Sequence, residues 1–242
     1  MKNKLLIKIF IVLFFFVFVL PIFSQNFYRN IRLQNPRMNG QDVLALQKRL
    51  LELSFSELGE ADGYYGPITE EIIKKIKTFS GFEINGIVNK DFWDYIFSEK
   101  NDVILRNISA IVKYNIDELQ NSGNIYDNTG LDFVISAYVY YSLGEKKIRI
   151  VKYDRRDYYT EIYRTYYLID ENNYFVKEFF SDEKSFKEPN PDIIMTIVNR
   201  MLYIESNAQY EILNGNKVLS DTNYLISITN TIDDIIKEFQ MK

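Results

Sequence analysis

The chain has 242 residues, 47% of them hydrophobic, and a formal net charge of −4, enough apolar content for one or two domains with packed cores. It contains no cysteine and no histidine. That excludes a disulfide framework and a thiol nucleophile, and it excludes imidazole-ligated zinc centres and Ser-His-Asp or Cys-His catalysis.

Residues 1–24 read as a secretory signal. Lys2, Lys4 and Lys8 give the positive start, and residues 9–23 form an unbroken apolar run, short for a membrane span. Ile22 and Ser24 occupy the −3 and −1 positions of a cleavage site before Gln25. Isoleucine is not the small residue preferred at −3, so an uncleaved membrane anchor is the alternative, and the membrane is a partner only in that case. Removing the segment lowers Lys plus Arg from 29 to 26 against 33 acids, a mature charge of −7. A chain of that sign is not expected to bind nucleic acid. Residues 25–38 read as a short polar lead-in.

Residues 39–97 hold three amphipathic runs separated by glycine turns. Val43, Leu46, Leu50 and Leu53 form one helical stripe; Ile72, Ile73, Ile76 and Phe79 form a second; Phe92, Trp93, Ile96 and Phe97 form a short third. Two turns repeat a pattern, Asp62-Gly63-Tyr64-Tyr65-Gly66-Pro67 and Asn85-Gly86-Ile87-Val88-Asn89. Asp-Gly and Asn-Gly tolerate positive φ and favour tight turns. Gly66 with Pro67 predicts one helix start, and Asn89 predicts the N-cap of another.

Gly40-x-Asp42-Val43-x-x-Leu46-Gln47-x-x-Leu50, then Asp62-Gly63-x-Tyr65-Gly66-Pro67-x-Thr69, then Asn85-Gly86-Ile87-Val88 and Trp93, stand in one order over about sixty residues. On these motifs the stretch resembles the peptidoglycan-binding domain carried beside many cell-wall hydrolases. The family's usual small residue in the second helix is Ile72 or Ile73 here, and its Phe-Gln helix ending is Phe79-Ser80. The resemblance implies a small three-helix bundle and peptidoglycan as the partner, with no cofactor and no metal. It also implies a location in the bacterial envelope, periplasmic or wall-associated.

The second half changes period. Residues 103–119 carry a helical stripe, and residues 121–130 are turn-rich. Residues 133–141, 147–153, 159–169 and 174–180 alternate as strands, with a charged turn expected at 154–157 and a loop at 181–191. Asn190 and Pro191 predict a helix start, continued by Ile193, Ile194, Ile197, Met201 and Ile204. Asn214-Gly215 predicts a hairpin, and residues 231–240 a short final helix. The expectation is multidomain: a small all-α three-helix domain at 39–100, then an α+β domain at 101–242 with an antiparallel sheet and helices on one face. The second domain resembles no family.

Asp62, Tyr64, Tyr65 and Trp93 are the candidate ligand contacts, through ring stacking on sugars or wall peptides. Against this, aromatics in so small a domain are mostly core, and Asp62 suits a turn. The second half holds 15 of the 19 tyrosines, an interaction face or simply strand propensity. Leu202 to Asn207 resembles the helix-end Glu-Ser of lytic transglycosylases, which makes Glu205 a candidate general acid. The Gly-Leu-Met-Gln-like segment of that family is absent, and only 37 residues follow Glu205. Three functions follow: a wall-binding module anchoring a second domain, a carboxylate-dependent glycan-cleaving enzyme, or a module that binds an envelope protein partner.

Overall fold

The structure is a computed structural model and describes residues 26–114, 116–124, 128–129, 133–157, 160–170, 173–183, 195–205, 208–219 and 222–241. The expected signal at 1–24 and the expected helix start at Asn190-Pro191 lie outside these residues.

A helical part precedes a nine-stranded antiparallel sheet. Helices α1 (Gln41–Glu52), α2 (Pro67–Ser80) and α3 (Lys90–Phe97) follow the three predicted stripes. Pro67 opens α2 after Gly66, where its missing N–H costs nothing, and Gly81 ends it in the left-handed region at φ 66. The Asn89 side chain caps α3 by accepting the Phe92 N–H at 3.1 Å. The expected three-helix bundle is not a closed unit. A fourth helix, α4 (Asp102–Ile111), adds Ile104, Leu105, Ile108 and Ile111 to the same core. Arg49 of α1 ties the group together, donating to the Ile96 carbonyl at 2.9 Å and pairing with Asp102.

The segment read as a polar lead-in is part of this core. Ile31 is fully buried and exchanges two backbone hydrogen bonds with Val88, at 3.0 and 2.8 Å. Arg29 pairs with Asp42 at 2.7 Å, and Phe27 meets the edge of Trp93. One buried isoleucine in a polar stretch carries no periodicity, so sequence pattern could not find it.

The sheet runs β1 (Gln120–Asn124), β3 (Phe133–Ser142), β4 (Lys147–Asp157), β5 (Thr160–Leu168), β6 (Asn173–Glu183), β7 (Met195–Glu205), β8 (Ala208–Leu213) and β9 (Asn216–Leu219), with β2 (Asn128–Thr129) also on β3. From β3 onward each strand pairs with the next, an extended meander. Three expectations are corrected here. Asp154 to Asp157 continue β4, paired with Ser136 to Phe133, because Arg156 and Asp154 lie on one face and bond each other there. Met201 and Ile204 belong to strand β7 and not to a helix. The sheet carries helices on both faces and not on one.

Burial on both faces explains the error over β7. Met201 and Tyr203 point to the helical part, together with Phe175 and Ile212; Leu202 and Ile204 point to the other side, with Tyr166, Tyr174 and Val176. There the final helix α5 (Thr222–Met241), longer than predicted, covers them with Ile232 and Ile235. A strand buried on both faces loses polar–apolar alternation and can imitate a helical stripe. The α5 face also holds a buried charge row across three neighbouring strands. Glu178 accepts from Arg164 at 2.7 Å and from Arg200 at 3.1 Å.

The two parts meet closely. The edge of the Phe79 ring contacts Tyr167 and Phe175 at centroid distances of 5.1 and 5.5 Å, and Asn107 donates to the Tyr203 hydroxyl at 2.9 Å. The β8–β9 turn finishes the open end of α2: Gly215 N–H donates to the Ser80 carbonyl at 2.7 Å and Asn214 N–H to that of Gly81 at 3.1 Å. A Cβ on Gly81 would collide with the Ile212 backbone, and one on Gly215 with the Tyr95 ring.

Candidate functional site

The Asp62-Gly63 turn is built around Gln47. This α1 side chain is 2% exposed. Its Nε2 donates to Asp62 Oδ1 at 2.9 Å and to the Tyr64 carbonyl at 3.1 Å, and its Oε1 accepts the Gly63 N–H at 2.7 Å. Asp62 Oδ1 also accepts the Tyr64 N–H at 2.9 Å, a side-chain turn of the Asx kind. The bonds from Tyr64 N–H and Gln47 hold the Asp62 carboxyl below the usual carboxylate range. Gly63 takes φ 77, and Gly40 N–H closes the far side by donating to its carbonyl at 3.1 Å.

Lys77 does at the second turn what Gln47 does at the first. Its ammonium donates to Asn85 Oδ1 at 2.6 Å and to the Ile87 carbonyl at 2.7 Å, and it sits 5.0 Å over the Phe92 ring. Burial lowers its pKa, against the Glu83 carboxylate, which raises it. Tyr65 joins the two turns, its hydroxyl donating to the Gly86 carbonyl at 2.6 Å. Sequence reading missed Lys77; the available signal was a lysine set within the apolar stripe of α2.

The four candidate contacts separate. Tyr65 is fully buried and Trp93 is 2% exposed, wedged between Phe27 and Phe97. Neither offers a ring face to a ligand. Tyr64 is exposed, as is Ile68 at the start of α2, while Asp62 is exposed but engaged in the turn. Tyrosines of the sheet divide similarly: Tyr166, Tyr174 and Tyr203 are core, whereas Tyr140 and Tyr163 lie under Lys152 and Arg156.

Glu205 is the last residue of β7, ion-paired with Lys217 of β9 at 2.8 Å. The helix-end setting expected for a glycan-cleaving acid is replaced by a strand end. Among the described residues no three acidic side chains are grouped to hold a metal ion.

The helical unit, with glycine turns clamped by side chains of α1 and α2, packs on one face of the antiparallel sheet. Residues 39–96, about a quarter of the chain, match the family model of the peptidoglycan binding domain. No curated protein and no solved structure matches the chain.

Proposed function

We propose that the chain is an exported cell-envelope protein whose helical part binds peptidoglycan and holds the sheet at the wall. The observation that carries this is the family match over residues 39–96, supported by the Gln47-clamped turn that presents Tyr64. In this reading residues 1–24 direct export, and the chain works as two parts, 39–100 and 101–242, with the lead-in and α4 packed onto the first. Asp62 and Tyr64 meet the wall polymer, while Tyr65 and Trp93 support that surface from beneath.

The test is co-sedimentation of residues 25–242 with purified, protein-free sacculi, with soluble fragments assayed in the supernatant. Pelleting of the wild type, weakened several-fold in Tyr64→Ala with the fold intact, is the expected result. Failure of the wild type to pellet would turn the search to protein partners of the envelope. Fragment release abolished by Glu205→Gln would replace anchoring by glycan cleavage.

A further inference from the structure

Between α3 and the β8–β9 turn lies a cleft of about 650 Å³, a size that fits a small ligand. It is made by both parts of the chain. Its floor is Phe82 and Tyr95, against which the turn at Gly215 rests. Its two ends differ in charge. Glu83 and Asp91 line it beside the start of α3, where the Lys77 ammonium, bonded to Asn85 and the Ile87 carbonyl, offsets one of the two charges, and Lys100 lines it beyond the end of that helix. Asp91 and Lys100 make no hydrogen bond or ion pair among the described residues, whereas Asp94, midway, is neutralised by Lys90 at 2.6 Å. Eight helical residues at 1.5 Å each separate the ends by about 12 Å. Amides line the Lys100 end: Asn101 donates to the Tyr95 carbonyl at 2.9 Å and Asn216 to that of Asn214 at 3.3 Å, leaving both side-chain oxygens to accept from a ligand.

We propose that this cleft binds a short peptide with a free amine and a free carboxylate, the amine toward Glu83 and Asp91 and the carboxylate toward Lys100. Three extended residues span about 10 Å, which matches the charge separation. Peptide N–H groups then meet the amide oxygens, and small side chains rest on the part of Phe82 left uncovered. A neutral sugar would cover the same charges without pairing them, an uncompensated desolvation. The proposal rests on the wall-binding reading, because it makes a peptide arm of the polymer, its amine borne on a side chain and its carboxylate at the free end, the bound moiety.

The test is an amide NMR titration of residues 25–242 with trialanine, N-acetyl-trialanine amide and di-N-acetylchitobiose. Saturable shifts around Asp91, Asn101 and Asn216 with trialanine are expected, at millimolar affinity. Capping both termini should weaken binding roughly tenfold, and Asp91→Asn or Lys100→Gln roughly three- to fivefold each, the size of an exposed ion pair. Both variants change exposed side chains, and the same spectra report their folding. Equal binding of free and capped peptide, saturation by the disaccharide alone, or no saturation by any probe would overturn the proposal. Sedimentation with sacculi separates the two readings. If the double variant loses trialanine and still pellets, the cleft is not where the wall is held, and wall binding stands. If the wild type binds trialanine and does not pellet, the wall reading fails and the cleft remains a peptide site.

Discussion

The Gln47 side chain and the Gly63 backbone are joined at 2.7 Å, carboxamide oxygen to amide N–H, at the point where α1 supports the first glycine turn. The same carboxamide donates to Asp62 and to the Tyr64 carbonyl, so one buried group satisfies three polar atoms of the turn. Gln47→Ala leaves the Gly63 N–H and the Tyr64 carbonyl without this partner, at a cost of about 2 kcal/mol. Urea unfolding should show a lower midpoint with an unchanged slope. An unaltered midpoint would mean that the turn stands without Gln47.

Gly81 and Gly59 both have positive φ, 66 and 77, but a Cβ at Gly81 meets the Ile212 backbone whereas one at Gly59 meets nothing. Gly59 lies at ψ −94, outside the left-handed helical well, and Gly59→Ala should cost about 1–3 kcal/mol of backbone strain alone. Gly81 lies in that well at ψ 19, so Gly81→Ala should cost roughly 1–2 kcal/mol for the backbone and about 1–3 kcal/mol more for overpacking. A loss at Gly81 no larger than the backbone share, read by chemical denaturation, would argue that the hairpin does not rest on the end of α2.

Alkaline pH should separate the two parts. Burial pushes the Tyr95 phenol up to about 12, against a hydrogen bond with Ser80. Burial also pushes Tyr203 up to about 12, with Glu205 adding to the effect and the Asn107 bond opposing it. The folded state therefore favours the neutral phenols. Their contribution to stability is complete below the ordinary tyrosine value near pH 10 and is lost as pH climbs from there through about 12. Phenolate absorbance of these residues should lag and then rise together with loss of near-UV circular dichroism. Titration of all 19 tyrosines near pH 10 with the dichroism intact would contradict this.

Glu178 is fully buried between two guanidiniums, paired with Arg164 at 2.7 Å and Arg200 at 3.0 Å. Glu178→Gln removes the charge that both guanidiniums share on the α5 face, and breaking a buried pair costs about 3–5 kcal/mol. Thermal or urea unfolding should place this among the most damaging single changes in the sheet. A loss below about 1 kcal/mol, typical of exposed pairs, would show that water reaches the row.

The helical part was legible because its cues are local. Stripes at steps of three and four, Pro67 after Gly66 and Asn89 before α3 each reflect short-range chemistry. The Asn214-Gly215 hairpin was legible for the same reason, with φ 47 and 75 at the turn. What stayed hidden depends on partners distant in sequence. Met201 and Ile204 fit a helical stripe until opposite faces of β7 are known to be covered by different helices. Arg155 and Arg156 read as a turn because charge suits turns, yet β4 runs on through them between β3 and β5, with Arg156 paired to Asp154 of the same strand. At the site, Tyr65 and Tyr64 are neighbours with opposite fates, one fully buried and one exposed, and composition does not distinguish them.

The docking of the β8–β9 turn on α2 also fixes an order of events. Gly81 and Gly215 stand 134 positions apart, and the core of the helical part includes Phe175, Tyr203 and Ile212. Closing so distant a contact is slow relative to forming local helices. Until the β8–β9 turn has formed, the carbonyls of Ser80 and Gly81 lack their partners. A chain stopped before residue 208 should accordingly be cut by protease between residues 79 and 98, where the full chain resists. The helical part is thus completed last, by contacts that the β8–β9 turn supplies from far along the chain.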